Sequence, residues 1–130
     1  MHSAERGEKM KGILFTQVEA DQKRVDQEWG SLTWFASKEL TKSDDITVGL
    51  VVIKKGQSNP RHIHGNCSEV IHLQKGRLKH FVEKEFVLME PGDTLVVPPG
   101  VDHHALSIGD EDAVMIVAYP SGQRHFQAVP

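Results

Sequence analysis

Three histidines and one glutamate are the residues of this chain whose types and spacing could support chemistry: His62, His64, Glu69 and His103. Three imidazoles and one carboxylate form a ligand set suited to Mn, Fe, Ni, Co or Zn. Residues i and i+2 of a β-strand share a face, so His62 and His64 point the same way if their segment is extended. The loop 65–68 can return the chain toward that face at Glu69, and His103 joins from a distant segment. These residues predict one divalent transition metal per chain.

Two glycine-bounded segments contain these four residues. The first segment is Gly56-x5-His62-x-His64-x4-Glu69-x6-Gly76. It resembles the first of the two conserved motifs of the cupin superfamily, and each fixed position matches in residue type and in spacing. An isolated His-x-His pair is a weak signal, whereas a motif with all of its positions and spacings in place is a strong one.

The second segment is Gly92-x5-Pro98-x-Gly100-x2-His103-x3-Ser107, and it resembles the second cupin motif. It departs from that motif once, because Ser107 stands where the family usually has Asn. The resemblance implies a small jelly-roll β-barrel of the cupin type with a metal ion inside. It does not imply one reaction, since one fold hosts many chemistries.

The alternative interpretation of the four residues is that they are scattered polar groups of a β protein. Burying them unpaired inside a barrel would be costly, and a metal ion removes that cost. Glu69 is also the candidate catalytic residue, because it is the only charged ligand. It would control the Lewis acidity of the metal and accept a proton when its coordination shifts.

Three further histidines lie in or near the two motifs. Strand alternation from the ligands places His72 and His104 on the outer face, so we expect neither to bind metal. The orientation of His80 stays open. It could line the cavity as an acid or base, or it could lie in the core or on the surface.

Other residues near the motifs have a structural and a functional interpretation. Ser107 either lines the pocket or fills space, and Cys67 is either a reactive thiol at the pocket mouth or a buried small apolar residue. Arg61 should point away from the metal, into an ion pair or solvent. Three aromatic residues could line a pocket for an apolar ligand, although packing in the barrel core is the default: Trp34, Phe35 and Phe81.

β-Strands and turn signals occupy the rest of the chain. Turn signals recur about every 8–12 residues, which is typical of an all-β sandwich or barrel. No segment has a helical period over three turns, so we expect little helix. We expect 20–28 to be a turn or loop, 37–45 to be a polar connection and 123–130 to pack on the barrel or a partner. The predicted strands are 13–19, 32–36, 46–53, 69–74, 77–82, 85–89, 94–97, 103–108 and 113–119.

Length and composition restrict the kind of protein. A chain of 130 residues predicts one domain, which we place at 12–130 after a flexible leader at 1–11. Within it the two motifs span 56–76 and 92–107. A single cysteine excludes an internal disulfide and suits a reducing compartment. With no apolar run of membrane-spanning length and no signal peptide, we expect a cytoplasmic protein that does not bind membranes.

Charge and family resemblance suggest the partners. A net charge of −3 without a basic block gives no reason to expect nucleic-acid binding. The resemblance implies a homodimer, and exposed edge strands support this. We expect a metal-dependent enzyme with a small organic substrate, with a dioxygenase-like oxidoreductase first and an isomerase or lyase next. The alternative is a cupin that binds or senses a small ligand without catalysis.

Overall fold

Residues 11–130 are described by the computed structural model, so the predicted leader lies outside the described residues except for Lys11. Over this range the chain forms eleven antiparallel β-strands and two short helices. The strands form two sheets that face each other in a jelly roll. The predicted all-β fold with little helix is confirmed.

The larger sheet has six strands in the order β1-β2-β3-β10-β5-β8. Strands β1, β2 and β3 are neighbours in chain order, whereas β10 lies between β3 and β5. This order arises because the chain crosses between the two sheets. The bounds are β1 Val25–Gln27, β2 Gly30–Ala36, β3 Thr47–Ile53, β10 Ala113–Tyr119, β5 Glu69–Lys75 and β8 Thr94–Val97.

The smaller sheet has five strands in the order β11-β4-β9-β6-β7. Both motifs contribute to it, because β4 and β9 carry histidines of the first and second motif as direct neighbours. The bounds are β11 Gln127–Ala128, β4 His62–Ile63, β9 His103–Ser107, β6 Leu78–Val82 and β7 Glu85–Met89.

The core lies between the two sheets and follows from side-chain alternation. In β3 and β10 every second residue is buried, and the residues between them are only partly covered. Alternation of this kind places one apolar face of each strand against the opposite sheet. The most deeply buried apolar side chains come from both sheets: Ile53, Ile71, Leu73, Leu78 and Val117.

The strand predicted at 13–19 is wrong. A helix, α1, spans Gln17–Gln22 instead and continues into the segment 20–28, which also contains β1. The cause is local capping: the Thr16 hydroxyl accepts a hydrogen bond from the backbone N–H of Glu19 at 3.1 Å. Thr-x-x-Glu is a capping signature, and here it outweighs the apolar residues that favoured a strand.

The connection 37–45 also contains a short helix, α2, at Lys38–Thr41. Ser37 caps it in the same way, since its hydroxyl accepts a hydrogen bond from Leu40 N–H. No helix in the described range is long and apolar enough to span a membrane.

One glycine determines where an aromatic side chain lies. Gly49 in β3 is the cross-strand partner of Trp34 in β2. A Cβ at Gly49 would lie 2.4 Å from Cε3 of Trp34, so only glycine leaves room for the indole ring there. The indole packs beside the ring of Tyr119, with 6.2 Å between their centroids.

Candidate metal centre

The four predicted ligands come together although they belong to both sheets. His62 in β4 and His103 in β9 are direct cross-strand partners of the smaller sheet. Glu69 is the first residue of β5 in the larger sheet, and His64 follows β4. All four side chains are buried, and one ligand atom from each lies within 4.8 Å of the others. The structure thus brings together the four residues that the two motifs predict as ligands.

Each histidine ring is held from behind by a backbone carbonyl. A carbonyl only accepts hydrogen bonds, so each Nδ1 carries the proton and each Nε2 presents its lone pair to the centre. This is the tautomer in which imidazole binds a metal through Nε2. The contacts are His62 Nδ1 to Pro60 O at 2.7 Å, His64 Nδ1 to His125 O at 2.8 Å and His103 Nδ1 to Val101 O at 3.2 Å.

Glu69 faces two of these lone pairs. Its Oε1 lies 2.7 Å from Nε2 of His103 and 3.2 Å from Nε2 of His64. Among the described residues, the buried Nε2 of His64 has no hydrogen-bond partner of acceptable geometry. A carboxylate oxygen and imidazole lone pairs repel one another unless a proton or a metal cation lies between them. The donor set therefore fits a divalent transition metal.

The charge states at the centre also suit a metal. Burial, and then the charge of His103, lower the pKa of His62 to about 4. Burial alone would raise the pKa of the Glu69 carboxyl, but in the metal-free site hydrogen bonds from Nε2 of His103 and His64, each then carrying a proton, outweigh it and hold that pKa below its ordinary range. At neutral pH His62 is neutral and Glu69 is ionised, which are the forms that bind metal.

Tyr119 orients the carboxylate, although it belongs to neither motif and was not among the predicted site residues. Its hydroxyl donates a hydrogen bond of 2.6 Å to Oε2 of Glu69. Burial raises the pKa of Tyr119 well above its ordinary value, so the phenol keeps its proton. Alternation along β10 places Tyr119 inward, and it is the only tyrosine of the chain. A polar side chain at an inward position near the end of a strand was the sequence feature that could have indicated Tyr119 as a site residue.

Arg61 points away from the ligands into an ion pair, as predicted. Its Nε and Nη2 donate to the two carboxylate oxygens of Asp102 at 2.9 and 3.0 Å. The pair is partly exposed, so its energetic contribution is small. Because Arg61 precedes His62 and Asp102 precedes His103, the ion pair ties the β4 and β9 ligand segments together.

A cavity of about 350 Å³ adjoins the four ligands. This volume falls at the lower end of the roughly 300–1,000 Å³ range of small-molecule sites. Apolar and aromatic side chains form most of its wall: Trp29, Leu32, Trp34, Val51, Met115 and Phe126. Polar groups reach it from Asn59, His80 and Arg124 as well as from the ligands.

His80 faces this cavity, which resolves the orientation that the sequence left open. Only 1% of its surface is exposed, and within the described range neither ring nitrogen has a hydrogen-bond partner. Its ring stacks beside that of His103, with 5.6 Å between centroids and 18° between planes. Burial lowers its pKa to about 3, so His80 is neutral at pH 7.

His72 and His104 lie away from the ligands, as expected from alternation. Nδ1 of His72 is 2.9 Å from the hydroxyl of Thr94. His104 stacks on Phe81 with 4.6 Å between ring centroids. The aromatic candidates therefore divide, since Trp34 lines the cavity and Phe81 covers the outer face of its strand.

Cys67 and Ser107 are both buried. Cys67 belongs to the apolar core, and burial raises the pKa of its thiol, which matches the interpretation as a small apolar residue. Ser107 faces inward, and its hydroxyl has no hydrogen-bond partner within the described residues.

The C-terminal segment forms one wall of the site. Phe126 stacks on His62 with 4.8 Å between centroids, and β11 pairs with β4. The side-chain amide of Asn66 holds the segment, since its Nδ2 donates to Gln123 O and its Oδ1 accepts from His125 N–H, each at 2.8 Å. The side chain of His125 is exposed, but its backbone carbonyl anchors His64.

Comparison with known proteins supports the fold and the motif assignment. A family model described as the cupin domain matches residues 49–119. The chain is 34% identical over 83 residues to germin-like protein subfamily 3 member 2 of Arabidopsis thaliana, covering 60% of this chain and 37% of that protein. It is 26% identical over 98 residues to oxalate oxidase 1 of Hordeum vulgare, covering 69% of this chain and 49% of that protein. The chain thus spans less than half the length of each.

A solved structure shows the same fold. A variant of oxalate decarboxylase from Bacillus subtilis superposes with a TM-score of 0.77 and 23% sequence identity. The match covers 84% of this chain and 30% of that one.

Proposed function

Because the chain belongs to the cupin domain family, we propose that it is a metal-dependent enzyme acting on a small organic molecule. His62, His64, Glu69 and His103 would hold the ion. One observation carries the proposal: three carbonyl-oriented imidazoles and a carboxylate converge on one point beside a cavity of about 350 Å³. Ligands that serve only to stabilise a fold need no such adjoining space.

A bound first-row metal with one or two open positions supplies Lewis acidity and, for Mn, Fe, Co or Ni, a centre for oxidation chemistry. We favour a dioxygenase-like oxidoreductase, with a lyase or isomerase next. The names of the relatives include one oxidase and one decarboxylase, which supports these reaction classes without choosing between them.

Residues of the chain itself would position the substrate and move protons. The apolar wall excludes water from the reacting group, which strengthens every electrostatic interaction there. Glu69 would accept a proton at the carboxylate oxygen released when its coordination shifts. Tyr119 fixes the other oxygen at 2.6 Å and would keep the carboxylate oriented during that shift.

The metal assignment is tested by elemental analysis of untagged protein. We expect close to one divalent transition metal per chain, and none in the double variant His62→Ala/His64→Ala. The matched control is His72→Ala/His104→Ala, which removes two histidines outside the ligand set and should retain full loading. Equal metal content in all three proteins would contradict the assignment.

The catalytic assignment requires a screen with the metal-loaded protein. Oxygen uptake and product formation should be followed with phenols, keto acids and small carboxylic acids, including oxalate. Turnover lost in the ligand double variant and kept in its control would support an enzyme. Tight binding of one compound with no turnover of any would favour the non-catalytic binding cupin.

A further inference from the structure

Arg124 places a positive charge at the cavity. It belongs to the C-terminal segment, is half-buried and lines the cavity wall. The central carbon of its guanidinium lies 4.5 Å from the ring centroid of Trp34, 5.5 Å from that of Tyr119 and 5.7 Å from that of Phe126. Distances below about 6 Å are those of cation–π contacts, so three rings hold the guanidinium in place.

This guanidinium has no acidic partner. Within residues 11–130, no Asp or Glu oxygen lies within 4.0 Å of Arg124, whereas Arg24, Arg61 and Arg77 each form an ion pair. A half-buried charge that is held by aromatic faces keeps its hydrogen-bond donors free for another group. Guanidinium binds carboxylates through two parallel hydrogen bonds, which makes an anion the matching ligand.

The rest of the cavity limits what that anion can be. In the described part of the chain Arg124 is the only Lys or Arg that lines the cavity, so away from the metal ligands the wall offers a cationic partner to one carboxylate. The wall around it is mostly apolar and aromatic, and a small dianion such as oxalate would leave that wall unfilled. An apolar body gains free energy by covering it, because apolar surface is removed from water.

We propose that Arg124 binds the carboxylate of the substrate, and that the cavity takes a small organic monocarboxylate with an apolar body. This inference rests on the proposed function for the identity of the substrate site. Phe126 stacks on His62, so Arg124 lies one aromatic ring away from the ligands. A substrate held by Arg124 at one end can therefore turn its other end toward them.

Tryptophan fluorescence offers a direct test. The chain has two tryptophans, and both Trp29 and Trp34 line the cavity. The probes are cyclohexanecarboxylate and cyclohexylmethanol, which share one apolar body and do not absorb where tryptophan does. Titrations use zinc-loaded protein and protein stripped by chelator, with oxalate as a third probe. We expect the carboxylate to bind about tenfold or more tighter than the alcohol, and tighter than oxalate in stripped protein.

Variants separate anion binding from a structural role of Arg124. Arg124→Gln should weaken binding of the carboxylate about tenfold or more and leave the affinity for the alcohol within about twofold of the wild-type value. Arg124→Lys keeps the charge without the fork and should fall between. Arg77→Gln, which removes an arginine from an exposed ion pair with Glu90 and not from the cavity wall, should change neither affinity.

Three results would overturn the inference. One is equal weakening of both probes by Arg124→Gln, which would make Arg124 a clamp for the C-terminal segment. The others are a wild-type protein without preference for the carboxylate, and the lack of a saturable signal with either probe. The stripped protein keeps this test apart from the metal assignment. If the protein does not load metal, stripped protein should still prefer the carboxylate over the alcohol. If that preference is absent, the Arg124→Gln variant should still load metal.

Discussion

Glu69 shows how a single side chain can serve structure and chemistry together. One carboxylate oxygen faces the lone pairs of His64 and His103, and the other accepts a hydrogen bond from Tyr119. The ligand is therefore constrained at both ends. Removing a hydrogen-bond partner of a metal ligand commonly lowers metal affinity or activity by about 10–100-fold.

The substitution Glu69→Gln keeps this shape and removes the charge. Some metal should remain bound by the three histidines, while turnover should fall by about a hundredfold or more if proton transfer is lost. Metal content and turnover number should be measured on the same sample. Glu90→Gln is the matched control, because it removes the charge of an exposed glutamate outside the ligand set. Unchanged turnover per metal in Glu69→Gln would rule out a catalytic role for Glu69.

His80 is predicted to lower stability. Both of its nitrogens are buried without partners in the described structure, and an unsatisfied buried polar group costs about 1–3 kcal/mol. His80→Leu should therefore raise the free energy of unfolding by that order, as measured by urea denaturation of metal-free protein. His72→Leu, at an outer position with a hydrogen bond to Thr94, serves as the control. A clear loss of stability in His80→Leu would show that His80 has partners in solution.

Acid should destabilise the metal-free protein through the same histidines. The pKa values of His62 and His80 fall from 6.5 to about 4 and about 3 on folding, so the unfolded chain binds more protons between those values and 6.5. The contribution of these two histidines to the free energy of unfolding is therefore fully present above pH 6.5 and declines as the pH falls toward 4. One pKa unit is worth about 1.4 kcal/mol, so His62 alone accounts for a loss on the order of 3 kcal/mol.

Urea denaturation at several pH values between 7 and 4 measures this loss. His62→Gln is the informative variant, because it removes the titrating group from an otherwise similar site. Its stability should depend less steeply on pH than that of the wild type. Identical slopes would mean that His62 is not held neutral in the folded protein.

At the scale of elements, strands were predicted well where alternation is regular. The predicted strands at 85–89, 94–97 and 113–119 agree with β7, β8 and β10. The helix α1 was missed because one capping interaction decided a short polar segment. The C-terminal contacts could not be predicted, since the group that orients His64 is the backbone carbonyl of His125, and a carbonyl has no sequence signature.

Gly49 in β3 offers a test of how elements shape the cavity. In Gly49→Ala the new methyl group would meet the indole of Trp34 at 2.4 Å and Thr33 O at 3.0 Å, so the ring must move. Overpacking of this kind costs about 1–3 kcal/mol. We expect a lower melting temperature and a changed near-ultraviolet circular dichroism spectrum. Gly65→Ala, where a Cβ meets nothing within 4 Å, is the control. An unchanged spectrum in Gly49→Ala would contradict this placement of Trp34.

At the scale of the whole molecule, we propose a homodimer. Apolar side chains are exposed on the edge strand β7, namely Phe86, Val87 and Leu88. Exposed apolar edges invite pairing with a second chain. Light scattering should give twice the 14.5 kDa mass of one chain, and Val87→Lys should shift the protein toward the monomer. A monomeric wild type at micromolar concentration would refute the proposal.

The placement of Glu69 in one sheet and of His62 and His103 in the other has a consequence for how fast the protein unfolds. An ion held by all four ligands would cross-link the two sheets in a chain whose single cysteine cannot form an internal disulfide. The sheets could not separate until that link broke. Because the ligands come from remote parts of the chain, the site completes late in folding. Metal would then act mainly by slowing unfolding, with little effect on the refolding rate. A loaded molecule would therefore survive transient heat or proteolysis for longer than its free energy of unfolding alone suggests.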